Sequence, residues 1–307
     1  MSEKLDIIAI GECLLELSTK EYFENAETFN LSCGGDVLTS ALAARRIDAK
    51  VGLVSVIGDD SFKNIILERL NNQGFELSHL RICPEKNGLY LCGHTERKEL
   101  VTYRRRVASN CMSLEDYDEE YIKSANVIYT TGITQSLSIQ ATQLVKKVFQ
   151  TARENDILTA YDPNYSSSFM TAYDTKEYLE EIVENIDVLF LSLKNDVEAL
   201  FELSSVEKMV NYYTDLGVKI IVIKSHLERG YYVHSNGKTD FVPFYSLGAI
   251  KNSMGAGDVF NGGFLGAIVK GYSPYEATQL AAKQTGIFIE NQGLIKNIPN
   301  VEELLRL

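Results

Sequence analysis

Residues 126–164 read NVIYTTGITQSLSIQATQLVKKVFQTARENDILTAYDPN. The stretch opens with an apolar run of strand length, Val127–Thr131, and closes with a second, Ile157–Asp162. Between them, over Gln135–Glu154, Leu137, Ala141, Leu144, Val148 and Ala152 recur at helical spacing, which predicts a helix with one apolar stripe. Apolar strands alternating with amphipathic helices indicate parallel strands covered on both faces. Working outward, Leu5–Ile10, Val51–Ile57, Val188–Leu193 and Lys219–Lys224 are further runs of strand length. The expected fold is α/β: a three-layer αβα core around a mainly parallel sheet. Short strands follow residue 229, then helices at about 256–270 and 274–290.

Composition narrows the function. The chain has 307 residues, 45% of them hydrophobic and 23% charged, enough to bury a substantial core. With 30 Lys and Arg against 42 Asp and Glu, its formal charge is −12. That balance opposes general binding to nucleic acid or anionic membranes, both of which need a basic surface. No run of 18 apolar residues exists, so no transmembrane helix is expected, and the N-terminus lacks the features of a signal peptide. The five cysteines, Cys13, Cys33, Cys83, Cys92 and Cys111, form no CxxC pair and lack zinc-ligand spacing. Reduced thiols in a cytoplasmic protein are expected.

Two regions break the alternation. Residues about 14–32 and about 80–107 carry no helical stripe. The second reads as short strands, Leu80–Cys83, Leu89–His94 and Leu100–Arg106, with Asn87-Gly88 as a turn signal. Two excursions from one core can pair into a small extra sheet. A β lid formed by about 12–32 and 80–108, inserted in a single domain spanning 1–307, is expected.

The strongest local feature is Asn252-Ser253-Met254-Gly255-Ala256-Gly257-Asp258, followed by a helical pattern. Gly255 and Gly257 permit close backbone approach, and the unpaired N–H groups of a helix's first turn suit a phosphate. Asp258, in that turn, can accept a proton from an attacking hydroxyl. A glycine-rich turn with Asp258 merely starting the helix is the structural alternative. Gly34-Gly35-Asp36 precedes a helical run at Val37–Ile47, and offers either a polar-ligand site or a turn. In Arg104-Arg105-Arg106, alternate side chains point to opposite sides, so Tyr103 and Arg105 share one face and Arg104 and Arg106 the other. Asp162-Pro163-Asn164 ends a strand where open α/β sheets bind ligands. Asn195 and Glu198 lie on one helical face, or form a simple N-cap pair.

These motifs, in this order, resemble the ribokinase-like (PfkB) carbohydrate kinases over nearly the whole chain. Gly34-Gly35, Gly58-Asp59-Asp60-Ser61-Phe62, Asn195-x-x-Glu198 and Gly255-Ala256-Gly257-Asp258 carry the likeness. It implies ATP-dependent phosphorylation of a sugar hydroxyl, with Asp258 as catalytic base and the backbone of Gly255, Ala256 and Gly257 as anion hole. ATP is expected near Asn164, Asn195, Lys224, Ser225, Gly255 and Gly257. Magnesium is expected through water at Asn195 and Glu198, with no direct side-chain ligand. Within the family the chain is similar to 2-keto-3-deoxygluconate kinases, through Gly11–Leu17, Gly34-Gly35-Asp36, Gly88-Leu89-Tyr90 and Tyr103-x-Arg105-x-x-Ala108. That likeness places the sugar acid at Gly34, Tyr90, Tyr103 and Arg105, with Gly35, Asp36 and Asp258 beside them.

The departures are Ser166 where the subgroup has an Arg, Thr39 for an Asn, Asn252-Ser253 for Asp-Thr, and His226 for a Gly. Asn252 leaves a monovalent cation open, and Ser166 removes a bidentate carboxylate contact. A fructokinase or another sugar or deoxy-keto-acid kinase, and a catalytically weak sugar-binding regulator, are the alternatives. A dehydrogenase is disfavoured because no GxGxxG follows the first strand. A homodimer through the lid is expected, with Tyr22, Phe23 and Phe29 able to supply apolar contact.

Overall fold

The computed structural model describes residues 4–93, 95, 99–193, 196, 205–226, 228–245, 253–291 and 295–306. In chain order the strands are β1 (Leu5–Ile10), β2 (Leu14–Thr19), β3 (Asn30–Gly34), β4 (Val51–Gly58), β5 (Leu80–Cys83), β6 (Leu89–Gly93) and β7 (Leu100–Tyr103). They continue with β8 (Ala125–Thr131), β9 (Leu158–Asp162), β10 (Val188–Ser192), β11 (Ile220–Ser225), β12 (Gly230–Ser235) and β13 (Lys238–Pro243). The helices are α1 (Asp36–Arg45), α2 (Lys63–Asn72), α3 (Glu119–Lys123), α4 (Gly132–Gln135), α5 (Ile139–Glu154) and α6 (Ala172–Glu180). Then come α7 (Val206–Asp215), α8 (Ala256–Val269), α9 (Pro274–Glu290) and α10 (Val301–Arg306).

A nine-stranded sheet runs β13-β12-β11-β10-β9-β8-β1-β4-β5. Its strands pair in parallel from β5 through β11, and the β12–β13 hairpin adds antiparallel strands at one edge. Alternation along β1 shows why both faces need cover. Ile7 and Ala9 join the core beneath α1, α8 and α9, whereas Ile8 and Ile10 join the core beneath α5 and α7. The α/β class and layered architecture expected from the sequence are those observed. The stripe helix is shorter than expected. α4 stops after Gln135, and Ser138 then caps α5 by accepting from the Ala141 N–H at 3.1 Å. Leu137 lies between the two helices and still packs into the core.

A second sheet, of four strands, runs β3-β2-β6-β7. Leu80–Cys83, expected among its strands, belongs elsewhere: β5 pairs with β4 at the edge of the large sheet, Ser55 opposite Leu80. Nor is Asn87-Gly88 a hairpin turn between two lid strands, because β5 and β6 lie in different sheets. The Asn87 side chain instead pins this crossing, accepting from Gly58 N–H at 2.8 Å and donating to Asp60 at 2.7 Å. Observed β7 ends at Tyr103, short of the expected Arg106, and the expected β6 bound at His94 lies outside the described residues. Among the described residues, no helix is long and apolar enough to cross a membrane.

Candidate active site

The parallel strands deliver polar groups at their carboxyl ends, where such sheets bind ligands. Glu12 follows β1, Asp162 ends β9 with Asn164 just beyond, Ser192 ends β10 and Lys224 lies near the end of β11. The helix starts of α1 and α8 add Gly35, Asp36 and Gly255–Asp258. Two cavities meet here. The smaller, of about 220 Å³, is lined by Glu12, Glu16, Asp36, Tyr90, Arg104 and Ser166, among others. The larger, of about 500 Å³, includes Asp162, Asp196, Lys224, His226, Ala256 and Gly257 in its walls. Asn164, Gly255 and Asp258 line both.

Asp258 is therefore at the junction of the cavities. Burial, then the nearby carboxylates of Asp36 and Asp162, push its proton affinity well above the ordinary carboxyl range, and Lys224 and Asn164 oppose that rise. Asn164 Nδ2 lies 3.5 Å from Asp258 Oδ1 and 3.2 Å from Asp36 Oδ2, which also accepts from Thr131 Oγ1 at 2.6 Å. Lys224 Nζ donates to Asp162 at 2.6 Å, and Asn261 Nδ2 donates to the same oxygen at 2.6 Å. The lysine is thus held rigidly on the side of the larger cavity. Asp196 accepts from the N–H groups of Tyr165 and Ser192 at 3.0 and 2.6 Å. Burial and the Asp162 charge still raise it to about 7.

The turn before α8 explains its glycine. Gly255 has φ 72°, a left-handed conformation that side chains disfavour, and no side chain caps the helix. The Ala256 N–H turns back to Ser253 O at 3.2 Å, so in this state it is engaged within the turn. Ser225, expected at ATP, is fully buried outside the lining of either cavity, its hydroxyl accepting from Glu228 N–H at 3.3 Å. Asn195, Glu198 and Asn252 lie outside the described residues.

On the side of the smaller cavity, Gly35 and Asp36 line the wall, and Gly34 packs so closely on Tyr90 that a Cβ would collide with the phenol oxygen. The arginine differs from the expectation. Tyr103 and Arg105 are exposed and stand outside this lining, whereas Thr102 and Arg104 are part of it. The β7 face that looks inward is that of Leu100, Thr102 and Arg104, one residue out of step with the expected pair. The Arg104 guanidinium lies 2.8 Å from Glu12 Oε1 and 4.3 Å above the Phe169 ring. Burial raises Glu12 to about 7 despite that partner.

Two carboxylates escaped the motif search. Glu12 and Glu16 are only 3% and 5% exposed, and Glu16 accepts from the Tyr90 and Ser32 hydroxyls. The signal was present in Gly11–Leu17: two acids within an apolar run, Glu12 just before β2 and Glu16 inside it, where a buried charge must find a partner or a ligand.

A carboxylate between a carboxylate-lined cleft and a groove that holds a lysine and a helix start, on a doubly covered parallel sheet, fits a phosphotransferase acting on a small hydroxylated molecule. The chain belongs to the pfkB family of carbohydrate kinases, whose model matches residues 4–301. It is a kinase of sugars or sugar acids. It is 28% identical to the 2-dehydro-3-deoxygluconokinase of Thermoproteus tenax over 98% of this chain and 94% of that protein. The crystal structure of a PfkB protein from Polaromonas sp. JS666 superposes with a TM-score of 0.87 at 24% identity, covering 99% of this chain and 100% of that one. A putative ribokinase II from E. coli, in complex with ATP and Mg2+, gives 0.88 at 20% identity over 98% of each chain.

Proposed function

We propose that this protein transfers the γ-phosphoryl group of ATP to a hydroxyl of 2-keto-3-deoxygluconate. The observation that carries the reading is Asp258 at the meeting of the two cavities. The sugar acid occupies the smaller cavity, with its carboxylate toward Arg104, and ATP occupies the larger. Asp258 accepts the hydroxyl proton as the oxygen attacks, and Asn164 holds the carboxylate in line. The Gly257 and Asp258 N–H groups at the start of α8 and the ammonium of Lys224 face the transferring group, where fixed donors stabilise developing charge. His226, Tyr231 and Phe244 wall the nucleotide side.

Magnesium fits the same groove. Among the described residues no cluster of three His, Cys, Asp or Glu could ligate a metal. Burial and the charge of Asp162, however, raise the cost of ionising Asp196 there, and a cation would relieve it. Asp162 and Asp196 would hold the ion on this side, and it would supply charge neutralisation there. The E. coli relative in complex with ATP and Mg2+ supports this reading.

One observation favours a second substrate. The small cavity presents four carboxylates, Glu12, Glu16, Asp36 and Asp258, against the single cation Arg104, and Ser166 adds a hydroxyl. That lining suits the hydroxyl donors of a neutral sugar. An ADP-release assay over 2-keto-3-deoxygluconate, 2-keto-3-deoxygalactonate, 5-keto-2-deoxygluconate, fructose, ribose and adenosine decides between them. Turnover confined to neutral sugars would overturn the sugar-acid assignment, and silence on all would overturn the kinase reading of the site.

The small sheet acts as a lid in this proposal, and as the contact between two copies. Its Leu100, Val101 and Tyr103, and Phe29 just before β3, are exposed apolar groups. Val101→Glu should convert a dimer to a monomer in sedimentation; a parent protein that sediments as a monomer would refute the contact.

A further inference from the structure

Beside the sugar cleft, a larger cavity of about 620 Å³ opens between the end of β7 and the α4–α5 junction. Its cations are Lys86, Arg104, Arg105 and Arg106, and no Asp or Glu is among its lining residues. In a chain with 42 acids against 30 bases, four cations facing one space without a carboxylate is a marked local inversion. Neither Arg105 nor Arg106 pairs with a carboxylate among the described residues. Lys86 has Asp60 in its vicinity, whose ionised form it favours. Arg106 also holds φ at 55°, a conformation non-glycine residues adopt at a cost. Asn110, Ser136 and Ser168 bring polar groups to the floor.

We propose that this cavity is a binding site for a small phosphate-bearing anion, separate from the phosphates of ATP. Its volume is in the range of small-molecule sites, about 300–1,000 Å³. Arginine forks pair bidentately with phosphate, and a phosphate monoester carries about two negative charges near neutrality, enough to engage several of the four cations. Thr102, Arg104 and Phe169 line both this cavity and the sugar cleft. An anion here competes with Glu12 for the Arg104 guanidinium and so alters the wall against which the sugar binds. The anion is either a separate effector or the tail of a phosphorylated sugar lying across Arg104.

The test is calorimetric titration of the full chain with glucose 6-phosphate, with a non-hydrolysable ATP analogue saturating the nucleotide groove. The parent should bind, and the K86Q/R106Q double variant should bind at least about tenfold more weakly, as expected for lost charge-assisted contacts. Unaltered thermal unfolding of the variant verifies that it is folded. An ADP-release assay with the same probe separates the two sources: a probe that is consumed is a substrate tail, and one that binds without being consumed is an effector. Absence of binding, or equal affinity in the variant, would overturn the proposal. The binding readout needs no turnover, so it stands or falls independently of the sugar assignment.

Discussion

Burial first, and then the neighbouring carboxylates of Asp36 and Asp162, hold the Asp258 proton more tightly than in water. To act as base it must first be deprotonated, so kcat should fall as the pH drops toward its raised pKa. Asp258→Asn keeps the shape and removes the base; we expect kcat to fall by about 10²–10⁴-fold, with the KM for sugar little changed. Unchanged steady-state turnover in that variant would remove Asp258 from the mechanism. Glu12 gives a stability prediction. Its pKa rises from 4.5 to about 7 on folding, chiefly through burial. Between those values the folded chain binds a proton that the unfolded chain has released. Its contribution is therefore complete below about pH 4.5 and is lost as pH rises through about 7. Denaturant titrations should show Glu12→Gln losing less stability than the parent between pH 5 and pH 8, by on the order of 3 kcal/mol. Identical pH slopes would place the titration elsewhere.

At the scale of elements, α8 lies against α1 with almost no space between the backbones. A Cβ on Gly262 would collide with Ser40 O, and Ser40 Oγ in turn meets Tyr129 Oη at 3.2 Å. Gly262→Ala should destabilise the fold by about 1–3 kcal/mol or more, and a melting temperature equal to the parent's would contradict this packing. The same contact positions the Gly255–Asp258 turn, because α1 and α8 both begin at the cleft. Much of this arrangement was legible in advance. The strands announce themselves as apolar runs because both faces of the sheet are covered, and Gly255–Asp258 reads as a helix start because small residues precede an apolar pattern. What escaped has local causes. Leu80–Cys83 is a short edge strand with Ile82 exposed, so only its partner, β4, identifies its sheet. Three successive arginines are chemically alike, so Arg104-Arg105-Arg106 carries no alternation to mark its inward face. One helix ends at Gln135 and Ser138 caps the next, within a stripe that looks continuous.

At the scale of the molecule, the cleft is bounded below by the large sheet and above by the small one. Ligand in the smaller cavity would touch both, since Glu16, Tyr90 and Thr102 come from the small sheet and Asp36, Asn164 and Asp258 from the core. Sugar binding should therefore slow amide exchange in β2, β6 and β7, read by mass spectrometry, while the central strands β1 and β8 stay at their already slow rate. Equal exchange with and without sugar would mean the small sheet takes no part in binding. The chain passes between core and small sheet four times: from β1 to β2, β3 to α1, β5 to β6, and out after β7. A plate moored by four short tethers cannot swing freely or drift away. As the proposed lid it would travel as one body, all four strands together, so a single stiffened tether would slow opening and product escape without altering any atom that touches the sugar.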